Sequence, residues 1–168
     1  MPPSFSDTMI YFAYGSNMDE TRMRARCPSA RFLFKARLSG FRLAFTRYST
    51  TNRCGAADIL PHPPGTVWGV VYHIKDEHRA ALDKAEGVPI RAYEPFTVDV
   101  HPDGDRAQRI KALTYVVVNR EDPNPKPSAE YKARLVNGAK AWNLPPDYLA
   151  ELEGIEVAPT AHPKSAIA

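Results

Sequence analysis

Proline limits this chain more than any other residue type. Its ring fixes φ and removes a backbone donor, so it is excluded from helix interiors and central strands and marks boundaries. Sixteen prolines occur in 168 residues, with clusters at Pro61, Pro63 and Pro64, at Pro123, Pro125 and Pro127, and at Pro145 and Pro146. Between those clusters the patterns are readable. Met9 to Tyr14 is an apolar, aromatic run that fits a buried strand ending at Gly15. Asp19 fits the N-cap of a short basic helix to about Arg26, with Glu20 in its first turn. Arg31 to Leu38 and Phe41 to Thr46 alternate apolar and polar residues around Ser39-Gly40, the period of a hairpin or of a bent strand pair. Ala56 to Leu60 and Val67 to Ile74 supply two more strands, and the nearly continuous apolar character of the second makes it central.

Asp76 then caps a helix to about Glu86, with Gly87 as its C′ residue. Tyr93 to His101 and Arg109 to Val118 form a hairpin about Pro102-Asp103-Gly104-Asp105. Two helices follow, Ser128 to Trp142 and Asp147 to roughly Glu153. Strands dominate the first two thirds and helices group at the end, an order that argues for α+β with a curved, mostly antiparallel sheet. The reading is one domain over residues 9–157, with flexible tails at 1–8 and 158–168.

Length and composition permit such a domain. A chain of this size buries roughly 70% of its unfolded surface, enough for a core with one pocket. No run of about 18 apolar residues could span a bilayer, and Met1 to Thr8 lacks the basic and apolar regions of a signal peptide. Cys27 and Cys54 form neither a CxxC pair nor a disulfide framework, so a reducing cytoplasm is the expected setting. Residues 1–60 hold nine Lys and Arg against four Asp and Glu, whereas the remainder holds thirteen against fifteen. Such a half can attract an anion or simply be a solvated surface. No nucleic-acid-binding motif accompanies it, and no membrane or nucleic-acid partner is expected. The five histidines are dispersed without zinc-site spacing, so no metal is expected.

Two features carry chemistry. Ala81, Leu82 and Ala85 share one face of the 76–86 helix, and Glu86 extends that stripe four residues beyond Leu82. A carboxylate turned inward at a helix C-terminus suffers both desolvation and the negative end of the dipole, which raise its pKa toward the range useful for general acid/base catalysis. The alternative is a Glu86 paired with a nearby Arg such as Arg91, or turned out to solvent. The second feature is Tyr14-Gly15-Ser16-Asn17, directly after the first strand. Consecutive backbone N–H groups there can form a concavity for a carboxylate or oxyanion, with Ser16 and Asn17 adding side-chain hydrogen bonds. Gly-Ser-Asn is equally ordinary turn chemistry. It matches neither a nucleophile elbow nor a Walker loop, so Ser16 is a poor nucleophile candidate.

Taken together, Tyr11-Phe12-Ala13-Tyr14-Gly15-Ser16-Asn17, Val67-Trp68-Gly69-Val70-Val71-Tyr72 and Leu82-Asp83-Lys84-Ala85-Glu86-Gly87-Val88 strongly resemble the gamma-glutamylcyclotransferase family. The likeness continues through Tyr93, Tyr131-Lys132, Gly138-Ala139-Lys140, Leu144-Pro145 and Tyr148, and spans about Met9 to Glu156. The resemblance implies a small mixed, mostly antiparallel β-barrel with flanking helices and no cofactor. It implies a small-molecule substrate, a gamma-glutamyl amino acid cyclised to 5-oxoproline with release of the free amino acid. Gamma-glutamyl amines are the alternative substrates, a non-catalytic module binding small anions is a further alternative, and a glutathione-specific activity ranks lower. The family's catalytic glutamate falls on Glu86, its substrate-holding loop on Tyr11, Phe12, Ala13, Tyr14, Gly15, Ser16 and Asn17, and its pocket tyrosines on Tyr93 and Tyr131.

Overall fold

The computed structural model describes residues 8–159. The two expected tails lie outside that range except for Thr8, Ala158 and Pro159. Five strands, β1 (Thr8–Ala13), β2 (Arg31–Ser49), β3 (Cys54–Lys75), β4 (Tyr93–Pro102) and β5 (Ile110–Val117), close into a barrel in the order β1-β3-β2-β4-β5. Every pairing is antiparallel except β1 with β5, which meet in parallel through Tyr11 and Leu113. This is the α+β barrel that the family resemblance implies. The apolar run 67–74 is central as expected, flanked by β1 on one side and β2 on the other.

The proline rule is broken in one place, for a local reason. Residues 56–60 and 67–74 are not separate strands but parts of one 22-residue strand, β3, that contains Pro61, Pro63 and Pro64. Phe41 pairs with Pro61 and Ser39 with Thr66, so the ladder slips between them. The intervening residues bulge outward, exposed, opposite the bend at Gly40. There the prolines withhold no hydrogen bond the sheet needs. Likewise 31–46 is one bent strand, not a hairpin.

A second close contact sets where the first strand ends. A Cβ at Gly69 would lie 2.3 Å from the Ala13 carbonyl oxygen and 2.9 Å from the Phe12 ring. Only glycine lets β3 approach the end of β1 this closely, and the residues after Ala13 leave the barrel from there.

Four helices follow the expected order. In α1 (Glu20–Arg26) the Asp19 Oδ1 accepts from the Arg22 N–H at 3.2 Å, the anticipated cap. The segment from Asp76 departs from expectation. Asp76 to His78 is a 3-10 turn without a side-chain cap, and α2 spans only Arg79–Ala85. In α3 (Ala129–Ala141) Ser128 caps the Tyr131 N–H at 3.0 Å, and Tyr131, Leu135, Gly138 and Ala139 form its buried stripe. Helix α4 (Pro146–Glu153) opens on Pro146, which has no N–H to leave unpaired, and packs against α3.

Candidate active site

Glu86 caps the C-terminus of α2, its N–H donating to the Leu82 carbonyl at 3.0 Å. Gly87 follows at φ 70°, the left-handed conformation that ends a helix most cheaply with glycine. The inward direction of Glu86 does not arise as the sequence suggested. Of the supposed stripe only Leu82 is buried, while Ala81 and Ala85 are exposed. What covers the carboxylate instead is α1 and the turn after β1. Asn17 Nδ2 donates to Glu86 Oε1 at 2.9 Å, and Arg26 Nη1 lies 3.7 Å from the same oxygen. Arg26, not Arg91, is therefore the cationic neighbour.

Asn17 is the hub of this contact. Its Nδ2 also donates to the Tyr11 hydroxyl at 3.0 Å, and its Oδ1 accepts from Arg26 Nη1 at 2.9 Å. Burial pushes the Glu86 pKa above the usual carboxylate value, against the lowering pull of Arg26, the Asn17 hydrogen bond and Arg22. Desolvation wins because the nearest cation stands beyond hydrogen-bond range.

The turn is held from behind. Ser16 to Met18 forms a 3-10 turn in which the Met18 N–H donates to the Gly15 carbonyl at 3.0 Å. The Tyr72 hydroxyl donates to the Asn17 carbonyl at 3.0 Å, and Trp142 Nε1 donates to the Met18 carbonyl at 2.7 Å. Carbonyls thus point into the protein, and the N–H groups of Ser16 and Asn17, the first of a helical turn, have no partner inside that turn. A methyl at Gly15 would sit 3.4 Å from Ala57 Cβ and 4.0 Å from the Tyr131 hydroxyl, in the gap in front of this turn.

That gap is a narrow cavity of about 40 Å³ lined by Tyr11, Tyr14, Gly15, Ser16, Asn17, Ala57, Glu86, Tyr93, Tyr115 and Tyr131. Tyr93 donates to the Ala57 carbonyl at 2.6 Å, and the Tyr131 hydroxyl accepts from the Ala57 N–H at 3.1 Å. One residue of β3 therefore positions both tyrosines. Tyr14 donates to the Tyr115 carbonyl at 2.6 Å, and Tyr115 donates to Asp83 Oδ1 at 2.5 Å. Burial raises the pKa of all five tyrosines, so at neutral pH they are neutral hydrogen-bonding groups. Glu86 is the one carboxylate in the cavity's lining. Tyr11 and Tyr131 are the tyrosines whose own hydroxyl protons are not committed to a hydrogen bond among the described residues.

Of the ten residues singled out in the sequence, eight line this cavity. Phe12 and Ala13 do not: both are buried core residues, and the Phe12 carbonyl accepts from Thr114 Oγ1 at 2.9 Å. Sequence reasoning missed Ala57, Tyr115, Asp83 and Arg26. Ala57 and Tyr115 carry no local signal, because only barrel closure brings them to the site. Arg26 had one: in a helix capped by Asp19, Arg22 and Arg26 stand four residues apart and share a face.

Comparison with known proteins decides the family. The profile of the AIG2-like family matches residues 66–152. Over 154 residues the chain is 37% identical to the gamma-glutamylcyclotransferase of Bos taurus, covering 89% of this chain and 80% of that one. The chain belongs to the gamma-glutamylcyclotransferase family. The human member is 35% identical over the same length, with the same coverage. A solved gamma-glutamyl cyclotransferase structure superposes with a TM-score of 0.87 at 34% identity, covering 93% of this chain and 92% of that one. Within this gamma-glutamylcyclotransferase family member, no helix of the described residues is long and apolar enough to cross a membrane.

Proposed function

We propose that the chain cyclises gamma-glutamyl amino acids, releasing 5-oxoproline and a free amino acid, with Glu86 carrying the proton. One observation supports this most: a desolvated carboxylate with a raised pKa and a single direct hydrogen bond, from Asn17, facing a cavity of neutral tyrosines. The substrate's alpha-amine is protonated at neutral pH and must lose a proton before it can attack. Glu86 takes that proton, the amine nitrogen bonds to the gamma-carbonyl carbon, and the carbonyl oxygen becomes an oxyanion. Glu86 returns the proton to the amide nitrogen as the old C–N bond breaks, and the second proton of the new ring nitrogen passes to the departing amine, leaving a neutral lactam N–H and an ammonium group. A base whose pKa is raised above that of an ordinary carboxylate suits both transfers.

Nucleophile and electrophile belong to one molecule, so the remaining task is to hold a folded conformer. The donors available to the substrate's carboxylate and to the oxyanion are the N–H groups of Ser16 and Asn17 and the free hydroxyl protons of Tyr11 and Tyr131. Preorganised donors of this kind contribute about 3 kcal/mol each in comparable sites. No electron transfer occurs, and the proposal includes no cofactor, nucleic acid or membrane partner. The free, buried Cys27 and Cys54 fit a reducing cytoplasm.

The test is to incubate the protein with gamma-glutamyl dipeptides and to measure 5-oxoproline. Product should form, and Glu86→Gln should abolish it while the fold is retained. Activity that survives in Glu86→Gln overturns the mechanism. Dipeptide binding with no product overturns the enzyme reading and leaves a binding module.

A further inference from the structure

The cavity beneath Glu86 opens outward into a second space of about 260 Å³, and Ser16, Glu86, Tyr93 and Tyr131 line both. A substrate whose reacting bond lies at Glu86 therefore projects its remaining atoms into this outer space. Its walls carry Arg22, Arg26, Arg47 and Lys84, and Glu86 is the one carboxylate among them. Three of these cations come from the basic half, residues 1–60. Arg26 is engaged by Asn17 and Glu86.

Arg22 is different. Its Nε is buried and has no hydrogen-bond partner, and its guanidinium makes no ion pair among the described residues. Burial, Arg26 and Arg134 lower its pKa against the smaller raising pulls of Tyr131 and Glu86. Leaving such a donor unsatisfied is costly, and an anionic ligand would satisfy it. Arg22 stands close enough to Glu86 to lower that carboxyl's pKa, while Arg47 acts on Tyr93 across the same space.

We infer that Arg22, supported by Arg47, is the subsite for the carboxylate of the departing amino acid. This inference rests on the cyclisation reading and adds what selects the leaving group. Once the amide nitrogen is at Glu86, an amino-acid leaving group carries its carboxylate on the adjacent carbon, within the outer space. A simple amine leaving group has nothing to offer the guanidinium. The preferred substrates are therefore gamma-glutamyl amino acids over gamma-glutamyl amines.

A matched pair isolates the effect: gamma-glutamyl-alanine and gamma-glutamyl-ethylamide differ only in the leaving group's carboxylate. The wild-type protein should favour the dipeptide by roughly tenfold or more in kcat/KM, as expected for a charge-assisted contact. Arg22→Gln should collapse that ratio toward one, Arg22→Lys should recover part of it, and Arg47→Gln should lower it less. The ratio matters because Arg22 also acts on Glu86. An equal loss on both substrates would place Arg22 at Glu86 or at the shared glutamyl end and overturn the assignment, as would a wild-type protein that does not discriminate.

Calorimetric binding to Glu86→Gln, with and without Arg22→Gln, separates this proposal from the cyclisation reading. Tighter binding of the dipeptide, lost with Arg22, supports the subsite even if no turnover is seen. Turnover without discrimination overturns the subsite and leaves the enzyme.

Discussion

Two carboxylates withdrawn from solvent, Asp58 and Glu86, are treated oppositely. Asp58 in β3 is fully buried and fully satisfied: Thr46 Oγ1 and Arg120 Nε each donate to Oδ2 at 2.7 Å, and the N–H groups of Ile59 and Val117 donate to Oδ1 at 2.9 and 3.1 Å. Glu86, whose side chain is 16% exposed, receives one hydrogen bond and a looser ion pair. Four donors make Asp58 a bolt between β2, β3 and β5, next to the Ala57 that holds Tyr93 and Tyr131. One donor leaves Glu86 able to exchange a proton. How many donors a buried carboxylate collects separates a structural charge from a reactive one.

Each variant below tests that contrast, starting with the largest expected effect. Glu86→Gln should lower the cyclisation rate roughly 100- to 10,000-fold, the range for loss of a general acid/base. The same variant should melt no lower than wild type at pH 8. The raised pKa means that the native state holds more protons than the unfolded state above the ordinary carboxylate pKa. Stability is then lost as pH rises through the folded value, and Gln removes that loss. A marked drop in melting temperature would make Glu86 a structural group like Asp58.

Asp58→Asn should do the reverse and destabilise the fold by about 2–3 kcal/mol in denaturant titration, since an amide presents N–H to a donor it replaces an acceptor for. Unchanged stability would end the distinction drawn here. Gly15→Ala, which puts a methyl into the cavity 3.4 Å from Ala57 Cβ, should cost about tenfold in kcat/KM, read alongside the melting temperature. Arg26→Met should produce the subtlest change. Removing a cation that favours the charged form raises the Glu86 pKa further, so the acid limb of the pH–kcat/KM profile should move to higher pH. A limb that stays or moves down would exclude Arg26 as the partner that tunes Glu86.

Local chemistry made much of this protein legible from its residues. The cap at Asp19, the Gly87 terminus, the central apolar run of β3 and the β4–β5 hairpin all follow from periodicity and turn preferences that act within a few residues. So does the presence of an odd carboxylate at the end of α2. Its surroundings do not follow. The apolar stripe that would turn Glu86 inward is not formed, because Ala81 and Ala85 are exposed. Burial comes instead from Asn17 and Arg26, and the hydrogen bond from Asn17 spans 69 positions.

Proline led to a break in β3 because a boundary rule cannot tell where a ladder will bulge. That depends on Gly40 in the facing strand. Sequence by itself determined most of the elements, their order and the residue types available for chemistry, because those respond to neighbours along the chain. Only the closed barrel decided which groups meet in front of Glu86, because contact there requires β1, β3, β5, α1 and α3 to be packed at once.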